Sequence, residues 1–232
     1  MEAETSNGIG SLNERALHLA LKNYFDPDVT HHEIPVGGFV ADIKDGSRIT
    51  EIETRSFSNL RKKLPVLLEN NSVTVVFPVA VRSSFVVVDE NGVAGAERRS
   101  TKRERPTDIF GELLKITDFI GHPGLDFVIV LIETLEYRVP VVRRGRKSTR
   151  RVDRVPVSFK GSIGLKTPSD FAGLVEIPEG SFTSKTFAAA NRLKDYDAWE
   201  ALTVLENIGV VSCSKGKKPF IYRSARNALS ED

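Results

Sequence analysis

Residues 39–57 read FVADIKDGSRITEIETRSF, and the alternation of that stretch decides how the rest of the chain is understood. Two alternating segments flank Asp45-Gly46, a dipeptide suited to the positive φ angles of a tight hairpin turn. A two-residue loop there pairs Lys44 with Ser47, Asp42 with Ile49 and Val40 with Glu51. Strand side chains alternate faces, so Asp42, Glu51 and Glu53 share one side, with Asp42 and Glu51 as diagonal neighbours about 7–8 Å apart. Phe39, Ala41, Ile43, Thr50, Ile52 and Thr54 make the opposite, core-facing set. Three acids on one face of a short hairpin repel one another unless a cation sits among them. The pattern is therefore a divalent-metal site or a solvated acidic face, and a three-residue loop would turn Glu51 and Glu53 away from Asp42.

Outward from the hairpin, the apolar spacing of residues 11–25 predicts a helix, with Ser11 as cap, Glu14 three residues later and Pro27 beyond its end. Glu14 closes a capping box or reaches the hairpin acids. His31 and His32, adjacent on an extended segment, point opposite ways and read as surface residues. Residues 58–70 carry Leu60, Leu64, Leu67 and Leu68 at helical spacing, with Pro65 predicting a kink. The apolar run 73–81 reads as a strand covered on both faces, and residues 84–89 as a further strand entering a turn. A basic connector spans 96–106, a helix 107–120 and a buried strand 125–136.

The order helix, strand, strand, helix, strand, with Asp42, the hairpin and Glu51-x-Glu53, resembles the core of the PD-(D/E)XK nuclease-like superfamily over about residues 11–82. The resemblance implies an α/β fold, a restriction-endonuclease-like mixed central sheet flanked by helices. It also implies a Mg²⁺-dependent phosphodiesterase site in which Asp42 and Glu51 hold the metal, with Glu53 and Glu14 assisting. Glu53 stands where the family has Lys, so the mechanism leans harder on metal or activity is lost. Some restriction endonucleases carry Glu there, and in others the base lies on the following helix, which makes Lys62 or Arg55 the candidate here.

Residues 143–151 are the densest positive run. They read as a solvated loop, or as a phosphate-contacting loop formed by Arg143, Arg144, Arg146, Lys147, Arg150 and Arg151. From 156 the pattern changes to three short helices at 168–175, 184–191 and 197–208, followed by a two-stranded segment around Lys215, Lys217 and Lys218. This resembles a winged helix-turn-helix module over about 165–224. Its presumed recognition helix carries Asp195, Asp197, Glu200 and Glu206, a poor surface for phosphate. Tyr196 and Trp199 read as packing residues and Cys213 as a partly buried thiol.

The chain has 232 residues, 40% hydrophobic and 28% charged, with a net charge of +2. These proportions belong to an ordinary folded protein, and 232 residues can bury a sizeable core. One cysteine excludes a disulfide framework and fits a reducing compartment. No apolar run has membrane-spanning length and the start is polar, so the expected location is cytoplasmic. The expected division is a tail 1–10, a nuclease-like domain 11–155, a winged-helix-like domain 156–225 and a tail 226–232. Two functions follow: a DNA-binding, metal-dependent endonuclease, or an inactive nuclease fold serving DNA binding, partner docking or homodimer assembly.

Overall fold

A computed structural model describes residues 15–214, 216 and 219–225. The predicted tails, Glu14, Lys215, Lys217 and Lys218 lie outside them. Helix α1 (Arg15–Phe25) buries Leu17 and Leu21, four residues apart and so on one helical face. They pack on Ile43, Ile52, Val76, Ala80, Val130 and Ile132 of the central sheet. Three antiparallel strands follow: β1 (His32–Val36), β2 (Phe39–Asp45) and β3 (Arg48–Ile52).

The β2–β3 register corrects the sequence reading. The observed pairs are Asp45 with Arg48, Lys44 with Ile49 and Ile43 with Thr50. The turn is therefore Gly46-Ser47 rather than Asp45-Gly46. Gly46 takes φ 58° at its first central position, where glycine is favoured. The Arg48 guanidinium donates to the Asp45 carboxylate at 2.5 Å and ties the turn at its base. The pairing moves by two residues, which returns each side chain to its expected side, because the strand period is two. Asp42 is thereby brought across from Glu51 instead of diagonal to it. Both faces of the hairpin are covered. Ile43 and Ile52 meet α1, while Ala41 and Ile49 join the core beneath the next helix.

That helix, α2 (Leu60–Leu67), buries Leu60, Leu64 and Leu67 completely and runs through Pro65. It makes the crossover to β4 (Ser72–Val87), which lies parallel to β3. The two strands predicted over 73–89 are one long strand with a bulge between Ala80 and Arg82. The basic connector contributes β5 (Arg98–Arg99), paired to β4. The helix predicted over 107–120 breaks into α3 (Ile109–Leu113) and a 3-10 segment, with Ile116 at φ −134°. Strand β6 (Leu125–Arg143) runs parallel to β4, and β7 (Arg146–Leu165) returns antiparallel to β6. The result is an α/β structure with a large mixed sheet, order β1-β2-β3-β4-β6-β7, flanked by helices.

Two expectations fail on β7. The basic run 143–151 is not a loop but the tip of the β6–β7 hairpin, closed by the pair Arg143 and Arg146. The expected domain boundary at 155/156 falls inside β7, whose pairing with β6 continues to Leu165.

The chain then forms α4 (Pro168–Ala172), β8 (Ser181–Thr183), α5 (Ser184–Asn191), α6 (Asp195–Asn207), β9 (Val211–Ser214) and β10 (Ile221–Ser224). The last three strands make a small sheet of order β8-β10-β9. Thr183 caps α5 by accepting from the Thr186 backbone amide at 3.2 Å. Phe171, Phe187, Leu202 and Tyr222 belong to the same buried cluster as Leu60, Val75 and Phe110 of the large sheet's layer. Tyr196 and Trp199 are exposed rather than packed inside, at 64% and 48%, because the buried stripe of α6 is Ala198, Ala201, Leu202 and Leu205. Among the described residues no helix is long and apolar enough to cross a membrane.

Candidate active site

At the C-terminal end of β3 the sheet opens. The β2–β3 pairing stops at Ile43 and Thr50, and the Asp42 carboxylate accepts from the Ile52 backbone amide at 2.7 Å instead of a main-chain partner. The Glu53 amide bonds across to Val76 of β4 at 2.9 Å, which holds the end of β3 to the sheet centre. A cleft of about 580 Å³ forms here, and Asp42, Glu51 and Glu53 all line it, with His18 of α1 and Lys63 of α2.

Each acid has a distinct environment. Asp42 accepts a contact from His18 Nε2 at 3.1 Å. Burial works against its charge, but the His18 contact and the Ile52 amide outweigh it and hold its carboxyl below the usual range. Glu51 is 1% exposed and accepts from Lys63 Nζ at 2.5 Å, while its other oxygen, Oε1, is buried with no hydrogen-bond partner. Burial, then the Asp42 charge, push Glu51 up to about 7 against the pull of Lys63. Glu53 is likewise pushed up to about 7, by burial and then by Glu51 and Asp42. Three carboxyls share the cleft with Lys63, Arg55 and His18, and the protons that Glu51 and Glu53 hold near neutrality offset much of its negative charge.

The rim is tied down from outside. Glu112 of α3 accepts from the Phe57 amide at 2.8 Å and from Lys115 Nζ at 2.6 Å, and Lys115 also donates to Ser56 at 2.9 Å. These bonds anchor the turn that leads from β3 into α2, and thereby the helix that presents Lys63.

The structure thus gathers Asp42, Glu51 and Glu53 but replaces two other expectations. Lys62 is exposed, and its neighbour Lys63 enters the cleft. Lys63 flanks the buried Leu60–Leu64–Leu67 stripe, whereas Lys62 falls outside it, so helical phase was the available signal. On α1 the cleft residue is His18, four positions after Glu14 in the sequence, and Glu14 lies outside the described residues. Arg55, the alternative to Lys62, lines the cleft. On the basic hairpin, Arg144, Arg146, Lys147, Arg150 and Arg151 are not part of the cleft. Within it Arg151 donates to Glu136 at 3.1 Å. Among the described residues no group of three His, Cys, Asp or Glu side chains stands as a complete metal-ligand set. The donor chemistry nevertheless suits a hard divalent cation: the carboxyls of Asp42, Glu51 and Glu53 line one cleft, and Glu51 has an orphaned buried oxygen.

The fold and cleft define an α/β protein with a mixed sheet and an acidic pocket at the end of its central strands. The chain belongs to the family described as a domain of unknown function (DUF8091), whose model matches residues 15–166. It is 32% identical over 178 residues to an uncharacterized protein of Treponema pallidum (strain Nichols), covering 74% of this chain and 70% of that protein. No solved structure matches it.

Proposed function

We propose that the cleft is a divalent-cation site for hydrolysis of nucleic-acid phosphodiester bonds, on a restriction-endonuclease-like sheet with a winged-helix-like C-terminal unit. One observation carries this reading. Carboxylates from two neighbouring strands, Asp42 and Glu51, converge in an open cleft with an amine from the following helix, Lys63. Lys63 supplies the positive charge that Glu53 denies to the Glu51-x-Glu53 motif. The order α1, three strands, α2, β4 supports the resemblance, and so does the β8-β10-β9 arrangement after the helix pair α5–α6.

Asp42 and Glu51 would hold the ion, with Glu53 and His18 beside them. When bound, Mg²⁺ or Mn²⁺ supplies charge stabilisation at the phosphate and a more acidic attacking water. Lys63, released from Glu51, would hold a proton donor near that water, and Glu53, half-protonated near neutrality, can accept one.

A second reading is favoured by the existing Lys63–Glu51 ion pair: a nuclease fold kept as a DNA-binding or assembly scaffold, with the lysine standing where a cation would. Cleavage of plasmid DNA with and without Mg²⁺ or Mn²⁺, alongside calorimetric titration of the metal, separates the two. The expected outcome is metal-dependent cleavage reduced at least about 100-fold by Asp42→Asn and by Lys63→Met, and unchanged by Lys62→Met. Cleavage surviving Asp42→Asn removes the site; neither cleavage nor metal binding establishes the scaffold.

A further inference from the structure

The hairpin β6–β7 outgrows the sheet. Val87 beside Arg138 is the last pairing between β4 and β6, and beyond it β6 has only β7 as a neighbour. Residues 144–151 are all exposed, so neither face of the ribbon's outer end is covered. A bare two-stranded ribbon has little stability of its own, and this one carries only cations at its end. Arg144, Arg146, Lys147 and Arg150 have no ion pair among the described residues, whereas Arg138 and Arg151 at the base both bind Glu136.

The turn breaks a local rule. Arg144 and Gly145 occupy its two central positions at φ 48° and 74°. The first of these favours Asn, Asp or Gly, and an arginine there is held in a left-handed backbone that its side chain disfavours. A local preference overridden at an exposed, charged tip is the mark of a binding surface rather than of packing.

Shape and charge supply the partner. Ile52, at the cleft, lies beside Val76 of β4, and β4 runs on from there to Val87 at the base of the ribbon. At ~3.3 Å per residue this is roughly 35 Å, and the basic tip lies about 20 Å further along β6, so the cations sit well away from the cleft. A two-stranded ribbon enters the major groove of B-DNA, but the deep, narrow groove of A-form RNA does not admit it. We infer that the β6–β7 ribbon grips double-stranded DNA through its major groove, more than one helical turn from the cleft. This rests on the hydrolytic reading for the cleft's role, but the grip itself operates without metal.

The test is therefore binding in EDTA, measured by fluorescence anisotropy across a salt series with a labelled 30-base-pair duplex. Arg144, Arg146, Lys147 and Arg150 are replaced together by Gln, all four being exposed and outside the core. The expected result is a drop in affinity of at least tenfold and a salt slope shallower by about 3 to 4, near 0.9 for each phosphate that the variant no longer neutralises. A-form duplex RNA should bind the unaltered protein at least tenfold more weakly than DNA. Retained slope and affinity in the variant overturn the proposal, as does equal binding of RNA or of phosphatidylserine vesicles. If the ribbon binds DNA but metal-dependent cleavage is absent, the cleft reading fails alone. Cleavage of a small phosphodiester by a variant that no longer grips DNA leaves the cleft reading standing.

Discussion

Glu53 sits just past the end of β3, in a cleft that it shares with two other carboxyls and with Lys63, Arg55 and His18. Its pKa near 7 means that the folded chain keeps a proton which the unfolded chain releases between about pH 4.5 and 7. Stability is thus drained as pH rises through that window. Glu53→Gln removes the like charge and should raise stability by about 2–3 kcal/mol at pH 8, shrinking below about 1 kcal/mol near pH 5. Thermal melts at the two pH values check it, with a gain of roughly 4–8 °C expected at the higher one. A loss of stability at pH 8 would show that Glu53 is ionised and paired. At this scale the sequence exposed the acids, since alternation alone places Asp42, Glu51 and Glu53 together whichever two-residue turn closes the hairpin. It concealed their partners. His18 and Lys63 come from helices on separate elements, and only the packed phase of α1 and α2 decides which polar residue beside an apolar stripe reaches the cleft.

The turn between β1 and β2 shows how an element depends on its neighbour. Gly37 and Gly38 both take left-handed φ values, +55° and +86°, but their surroundings differ. A Cβ on Gly37 would lie 2.2 Å from Val66 Cγ1 of α2, while one on Gly38 meets nothing within 4 Å. Val66 follows Lys63 by nearly one helical turn, so a displaced α2 carries the amine away from Glu51. Gly37→Ala is expected to cost about 2–4 kcal/mol, backbone strain plus overpacking, and Gly38→Ala only about 1 kcal/mol. Urea unfolding of the two variants gives the comparison, and equal costs would mean that the turn does not brace α2. Long elements were harder to read than this turn. The segments 73–81 and 84–89 merge because a bulge after Ala80 absorbs the break in alternation. The helix over 107–120 divides at Ile116, whose side chain is buried by leaving the helical path. The basic tip looked like a loop because nothing in its composition records that β6 and β7 are still paired there.

Across the whole molecule one apolar cluster links the two sheets. Phe110, Leu113 and Ile116 of the large sheet's layer share it with Ala198, Leu202 and Leu205 of α6, and Arg105 donates to the Arg192 carbonyl at 2.8 Å across the same junction. The sequence invited a cut, because its element pattern changes from about 156, and the family match ends at 166. Side-chain burial argues otherwise: the face of α6 that would be cut free is fully buried, at 0% for Ala198, Ala201 and Leu202. Burying a side chain such as Leu202 contributes about 1.5–3 kcal/mol, so a handful of these contacts rivals the net stability of a domain. Calorimetry of the full chain should then give a single transition with equal calorimetric and van't Hoff enthalpies. A chain ending at 166 should melt well below it or associate, having exposed Phe110 and Leu113. Two resolved transitions, with the shorter chain keeping the upper one, would instead make the C-terminal unit an independent module. The acidic α6 surface, with Asp195 and Asp197 beside exposed Tyr196 and Trp199, then has a constraint on its role. It is fastened to the body that carries the cleft, so any partner it meets is held at a set distance from Asp42 and Glu51.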